Sequence, residues 1–263
     1  MTTTRLAADR VRLAYGAKTV SENLTVGIPD GSFTVIVGAN ACGKSTLLRA
    51  LARLLVPSEG TIVLDGRDIT AVPTREVAQM IGLLPQISVA PDGITVADLV
   101  AHGRYPHQRM LKQWSVADAS AVNEALELTD TTVLADRFVD ELSGGQRQRA
   151  WIAMALAQQT PYLLLDEPTT YLDIAHQIDV LELCADLNRR GRTLVAVLHD
   201  LNHAARYATH LIAMKDGAVV AEGDPRSVVS TGFVRDVFGL NSTILTDPYS
   251  QTPLVVPAGR SRD

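Results

Sequence analysis

Cysteine is scarce in these 263 residues: Cys42 and Cys184 are the only two. They form no metal-ligand spacing and no disulfide framework, so a reducing compartment fits. No apolar run approaches the roughly 20 residues that a bilayer span requires. Residues 1–12 lack the apolar stretch of a secretory signal, so the expectation is a cytoplasmic chain unless something else holds it to a membrane. Positive charge is not in excess either. Lys and Arg total 24 against 29 Asp and Glu, a net charge of −5, which argues against non-specific nucleic-acid binding. Short basic pairs, such as Arg147 with Arg149 and Arg189 with Arg190, read as solvated helix faces. There is no internal repeat and no low-complexity tract. What is there is globular: 46% hydrophobic and 20% charged residues, in a length that allows one large domain or a core with inserted subdomains.

The organising stretch is Gly38-Ala39-Asn40-Ala41-Cys42-Gly43-Lys44-Ser45-Thr46. An apolar run at residues 33–37 precedes it, and leucines at 47, 48, 51, 54 and 55 follow. Leucines three and four apart share one face, so the order is strand, glycine loop, amphipathic helix. The form GxxxxGK[ST] wraps nucleoside triphosphate. Its glycines let backbone N–H groups turn inward, and the helix N-terminus adds a partial positive charge. Lys44 is placed to reach the β- and γ-phosphates, and Ser45 to offer a hydroxyl to Mg²⁺.

Upstream, residues 4–37 alternate apolar and polar residues around turn signals such as Pro29-Asp30-Gly31, which predicts short antiparallel strands. A further strand and turn lie at Thr61-Ile62-Val63-Leu64-Asp65-Gly66. After Gly82 a short apolar strand ends on Gln86. The stretch 87–155 is richer in helical pattern: Thr95 with Asp98, and Ser115 with Asp118, are N-cap pairs at the capping-box spacing. Leu142-Ser143-Gly144-Gly145-Gln146 breaks the pattern and starts a helix through Trp151, Met154 and Leu156. A buried strand, Tyr162-Leu163-Leu164-Leu165, ends on Asp166 and Glu167. A helix over 174–190 and a strand over 193–198 closing on His199 complete an alternation that predicts a parallel sheet, with ligands at the carboxyl ends of its strands.

A carboxylate at the end of an apolar strand needs a cation, and Mg²⁺ is the natural partner for Asp166 beside a triphosphate, although capping the next turn is the plainer role. Glu167, on the other face of the strand end, can orient or deprotonate an attacking water. By pattern alone His199 is as compatible with a structural role as with a catalytic one. Gln86 reads equally as an ordinary loop amide, and Tyr15 as a core residue. Ser143, Gly144, Gly145 and Gln146 expose N–H groups at a helix start, a second anion site that one chain needs only if it serves a neighbour's nucleotide. Cys42, at a helix N-terminus, reads as a reactive thiol or as a small residue filling the loop.

Taken together, residues 38–46, Gln86, residues 142–146, residues 163–167, Tyr171-Leu172-Asp173 and His199 resemble the ATP-binding subunit of ABC transporters. The resemblance implies an α/β fold: a P-loop NTPase core with a mainly parallel sheet, an N-terminal antiparallel β layer and an inserted helical subdomain. On that pattern residues 1–86 and 156–225 form the core, 87–155 the helical subdomain and 226–263 a C-terminal extension. It also implies ATP and Mg²⁺ as cofactors, with Ser45, Gln86 and Asp166 at the metal and Tyr15 stacked on adenine. Lys44, Gln86, Glu167 and His199 become the catalytic set, His199 acting on the γ-phosphate. Gln86 links the metal site to a membrane permease. Asp173 crosses the interface between two copies, and Ser143, Gly144, Gly145 and Gln146 close over the other copy's ATP.

Thr95-Val96-Ala97-Asp98-Leu99-Val100-Ala101-His102-Gly103-Arg104-Tyr105-Pro106-His107, the stretch at 169–177 and the tail around Val237-Phe238-Gly239-Leu240 look like the branch that energises ferric siderophore uptake. Haem and cobalamin importers are close relatives of that branch, and a soluble ABC-type ATPase of iron–sulfur cluster assembly is the alternative of another class. The implied setting is the cytoplasmic face of the membrane, with a substrate-binding protein as an indirect partner and no nucleic acid. His102, His107, His176 and His203 read as exposed helix-face residues rather than iron ligands, since they lack a carboxylate or cysteine cluster at ligand spacing.

Overall fold

The alternation at the N-terminus produces two strands, β1 (Thr4–Tyr15) and β2 (Lys18–Pro29), in a computed structural model that describes residues 4–86, 89–108 and 114–258. Both are 12 residues long, where short strands were expected. The reason is a bulge. Leu6, Ala8, Val11 and Leu13 are all buried although the step from 8 to 11 is odd. There the register on β2 shifts and Arg10 takes φ 49, so one extra residue restores the apolar phase. β3 (Phe33–Gly38) follows, buried throughout, then α1 (Lys44–Leu51), β4 (Glu59–Leu64) and β5 (Arg67–Asp68). Strands β2-β1-β4-β5 make the antiparallel layer.

Leu54 does not continue the helix. α1 closes with Arg53 in the left-handed region at φ 60, while Leu54 N–H donates to Arg49 O and Arg53 N–H to Ala50 O. Those are the two bonds of a Schellman stop, and Leu54 is left 67% exposed.

The chain divides into two units, one of residues up to Ala71 with those from Val195 onward, the other Val72–Leu194. The second contains α2 (Thr74–Met80), β6 (Ile81–Leu84), α3 (Val96–His102), α4 (Val116–Leu128), α5 (Gly144–Ala157), β7 (Tyr162–Asp166) and α6 (Ile174–Arg189). β6 and β7 pair in parallel, Ile81 opposite Tyr162 and Leu84 opposite Leu165. α5 is buried on nearly every side from Ala150 to Ala157, with α3 and α4 packed against it. The expected caps are present: Thr95 Oγ1 accepts from Asp98 N–H at 3.1 Å, and Ser115 with Asp118 forms a complete capping box.

One buried ion pair locks this helical cluster. Arg104 Nε donates to Asp118 Oδ1 at 2.9 Å, and its Nη1 donates to Ala157 O at 2.7 Å and Gln159 Oε1 at 3.0 Å. Both charged residues are buried, so the guanidinium joins the segment after α3 to the first turn of α4 and the end of α5.

The first unit resumes within β8 (Thr193–Val197) and continues through α7 (Leu201–Tyr207), β9 (His210–Lys215), β10 (Ala218–Gly223), α8 (Pro225–Val228), α9 (Thr231–Phe238), β11 (Ser242–Thr246) and β12 (Pro253–Pro257). Its strand order is β10-β9-β3-β8. β3 and β9 run in parallel, Thr34 opposite His210 and Gly38 opposite Met214. β11 and β12 form a separate hairpin. A mainly parallel core with an antiparallel N-terminal layer and added helices is the α/β class expected.

The bonds from Ser115 first, and then from Arg104, hold the Asp118 carboxyl at about 2, below its ordinary 3.8. A carboxyl lowered on folding contributes stability that is complete above the unfolded pKa and lost as pH falls through the folded one, here between about pH 4 and pH 2. Asp118→Asn leaves Arg104 buried without its counter-charge. It should cost about 3 kcal/mol by urea unfolding at neutral pH, with the deficit against wild type shrinking over that acid window.

Candidate functional site

The phosphate loop starts where β3 ends. A Cβ at Gly38, whose φ is 150, would overlap the carbonyl oxygen of Met214 on the adjacent strand, so only glycine lets the chain turn there. The loop runs through Ala39, Asn40 and Ala41, all exposed, to Cys42, Gly43 (φ 106) and the start of α1. Lys44, with Ser45 and Thr46 in the same first turn, opens the helix. That turn contains no acidic residue to offset its positive end. The buried Lys44 ammonium donates to Gly38 O and Ala39 O, both at 2.9 Å. An ammonium has three donors, so these two bonds aim the group at the loop without exhausting it.

His199 is exposed and lines a cleft of about 550 Å³ with Gly38, Ala39, Asn40, Phe238 and Leu240. The histidine is therefore beside the loop backbone. Tyr15 ends β1 with 45% of its surface exposed. That excludes the core role that spacing alone allowed.

Cys42 departs from the reactive-thiol reading. Its side chain is buried, with its sulfur packed against Gly38. Burial pushes the thiol pKa up, against the opposing charge of Lys44. A buried neutral thiol is a poor nucleophile, so Cys42 fills the loop.

In the second unit, Asp166 closes the buried strand β7 and is itself buried. Glu167 follows in the left-handed region at φ 55, a costly conformation for a glutamate that turns its side chain out of the strand. Its Oε2 accepts from Gln86 Nε2 at 2.6 Å and from Thr170 Oγ1 at 3.1 Å. The structure thus brings together two residues 81 positions apart that pattern alone could not join. Thr170 is a partner that the sequence reading missed.

The stretch expected as a second anion site is a helix start with a full capping box. Ser143 Oγ accepts from Gln146 N–H at 3.3 Å, and Gln146 Oε1 accepts from Ser143 N–H at 3.2 Å. Gln146 is thus committed to the cap of α5. Gly144 stays open, but a Cβ at Gly145 would overlap the ring of His176. Asp173 caps α6, its Oδ1 accepting from His176 N–H at 2.9 Å and ring Nδ1 at 2.7 Å. These bonds, the backbone one first, lower the Asp173 pKa. His176 therefore joins Asp173 to the glycine turn. An Asp followed three residues later by His was the only sequence signal for it.

The other histidines differ from the exposed helix-face reading as well, because all four are half-buried. His102 stacks on Tyr105 with ring centroids 5.2 Å apart, and His107 Nε2 is 2.7 Å from Gln158 O. Among the described residues no cluster of three or more His, Cys, Asp or Glu could hold a metal ion. Arg147 and Arg149 are not simply solvated: Arg149 pairs with Asp179 at 2.7 Å and Arg147 donates to Asp140 O at 3.2 Å.

Ala41 takes φ 62, a left-handed conformation that costs an L-residue about 1–2 kcal/mol. Ala41→Gly removes that strain but adds about 0.5–1 kcal/mol of backbone entropy loss. The variant should therefore match or exceed wild-type stability by about 0.5 kcal/mol. Thermal unfolding checks this, and a clear loss of stability contradicts it.

The chain is similar to known proteins along most of its length. The family model for ABC transporter matches residues 21–170. The ferric enterobactin transport ATP-binding protein FepC of Escherichia coli (strain K12) is 56% identical over 258 residues, spanning 98% of this chain and 95% of its own. Among solved structures, a transporter classed as metal-chelate type, in an inward-facing conformation, superposes with a TM-score of 0.84 at 29% identity, over 97% of this chain and 98% of its own. The dimeric post-hydrolysis state of the ATP-binding cassette MJ0796, bound to ADP and Pi, gives a TM-score of 0.72 at 28% identity, over 83% and 98%. With more than half its length matched by the family model and a relative of such identity along nearly all of it, the chain belongs to the ABC transporter family.

Proposed function

We propose that two copies of this chain clamp ATP head to tail, hydrolyse it, and thereby drive import of a ferric siderophore through a membrane permease. The observation that carries the reading is a glutamate at a strand end held by Gln86 and Thr170, in a chain that also has the buried lysine of a GxxxxGKS loop and is 56% identical to a ferric enterobactin transport protein. That relative favours a siderophore over haem or cobalamin, and transport over iron–sulfur cluster assembly. No helix among the described residues is long and apolar enough to cross a membrane, so in this reading the permease supplies the path. The chain docks on the cytoplasmic face, and a substrate-binding protein delivers the cargo.

Within the site, Lys44 exchanges carbonyl partners for the β- and γ-phosphates as the α1 N-terminus and loop N–H groups take up the remaining charge. Tyr15 stacks on adenine. Glu167, held by its two donors, accepts the proton of the water that attacks the γ-phosphorus, and the γ-phosphate leaves ADP as inorganic phosphate. His199 donates to the γ-phosphate. The N-terminus of α5 with Ser143, Gly144 and Gly145 closes on the other copy's nucleotide, and Asp173 lies at that interface. Ser45, Asp166 and Gln86 offer oxygen donors that suit Mg²⁺, which is usually held by one or two carboxylates together with phosphates. When bound, the ion neutralises charge developing on the phosphate oxygens.

Glu167→Gln should lower ATP turnover by about 10²–10⁴ while retaining ATP, so that the variant elutes as a dimer in gel filtration with ATP and Mg²⁺. Elution as monomer alone contradicts the sandwich. Lys44→Ala should abolish measurable ATP binding by calorimetry, and unchanged binding contradicts the assignment of the loop.

A further inference from the structure

We infer that the C-terminal segment from α9 to β12 sets the position of His199, and that Asn202 is the positioning residue through which it acts. This rests on the reading that His199 serves the γ-phosphate. Leu198, His199 and Asp200 connect β8 to α7, a helix of only seven residues. So short a helix has little stability of its own, and its placement depends on outside ties. Asp200 caps it by accepting from Asn202 N–H at 2.7 Å and His203 N–H at 2.9 Å, which makes the loop and the first helical turn one rigid piece.

The side chain of Asn202, three residues beyond His199, is the tie to the tail. Its Nδ2 donates to Val255 O at 3.1 Å, and its Oδ1 accepts from Val255 N–H at 2.7 Å. A carboxamide matched this way to one residue's donor and acceptor behaves as a further strand partner for β12. The dependence is mutual, since a lone two-stranded hairpin is itself marginal in water. A second tie lies one turn further along α7, where Arg206 Nη1 is 3.8 Å from Asp247 Oδ2. Asp247 is buried and holds the β11–β12 turn by accepting from Tyr249 N–H at 2.8 Å and Ser250 N–H at 3.3 Å.

The other end of the segment reaches the same cleft. Lys215, at the end of β9, donates to Asp236 O in α9 at 2.7 Å. From there Phe238 and Leu240 line the cleft shared by His199 and the Gly38–Asn40 backbone. One C-terminal segment thus contributes a wall beside the phosphate loop and braces the helix that follows His199. A tail added for stability alone would not need to touch both.

Steady-state ATP hydrolysis by the full-length chain tests this. Asn202→Ala should lower kcat about tenfold, with KM for ATP within about twofold of wild type and thermal unfolding showing an intact fold. Arg206→Ala, which removes only the longer, more exposed tie, should lower kcat less, again without moving KM. In a His199→Ala background, Asn202→Ala should have no further effect. A kcat unchanged in Asn202→Ala, or an equal loss with and without His199, overturns the inference while a slow His199→Ala variant leaves the site reading standing. Full activity of His199→Ala would instead remove the reading on which this rests.

Discussion

A charged amine buried beneath a loop of bare carbonyls is the contact on which the site depends. Lys44 is almost inaccessible, and its amine donates to the carbonyls of Gly38 and Ala39 at 2.9 Å each. Burying an ammonium without such partners would cost several kcal/mol. The loop can supply them because Gly38 lies flat against Met214 of β9 and the chain then turns through left-handed residues at Ala41 and Gly43. The same winding places the start of α1, whose first turn contains no acidic residue, directly after the loop. Sheet packing, loop strain and phosphate chemistry are consequences of one backbone path.

The second unit solves a related problem with a carboxylate. Asp166 is buried at the strand end, while the next residue adopts a strained φ that presents Glu167 to Gln86 and Thr170. Strain of this kind persists only where the surroundings over-determine it, here β7 paired to β6 and a turn closed by Thr170 N–H on Glu167 O. The buried Arg104–Asp118 pair keeps the neighbouring helices in register, so the α5 N-terminus is presented from a fixed cluster.

Local chemistry was legible in the sequence. The strand, glycine loop and helix around residues 33–51 and the caps at Thr95 and Ser115 depend on residues within a few positions of one another, and these formed as expected. What the sequence concealed joins distant positions. Arg104 reaches Ala157, Asn202 reaches Val255, and His176 covers Gly145, and no periodicity encodes any of them. Of the two readings of Cys42, the loop-filling one holds for a related reason: burial against Gly38 raises the thiol pKa and outweighs what the helix N-terminus and Lys44 do to lower it. Strand length was misjudged because alternation alone does not announce a bulge at Arg10.

The central claim is that nucleotide turnover in this chain is harnessed to movement of an iron chelate. The most direct measurement places the protein with a ferric siderophore permease and the proposed substrate-binding protein in sealed vesicles, with ATP supplied on its own side, and follows phosphate release together with uptake of a ferric siderophore. The account predicts that the chelate accelerates phosphate release and that uptake stops when ATP is withheld. Uptake that proceeds without ATP, or phosphate release indifferent to the chelate, would contradict it.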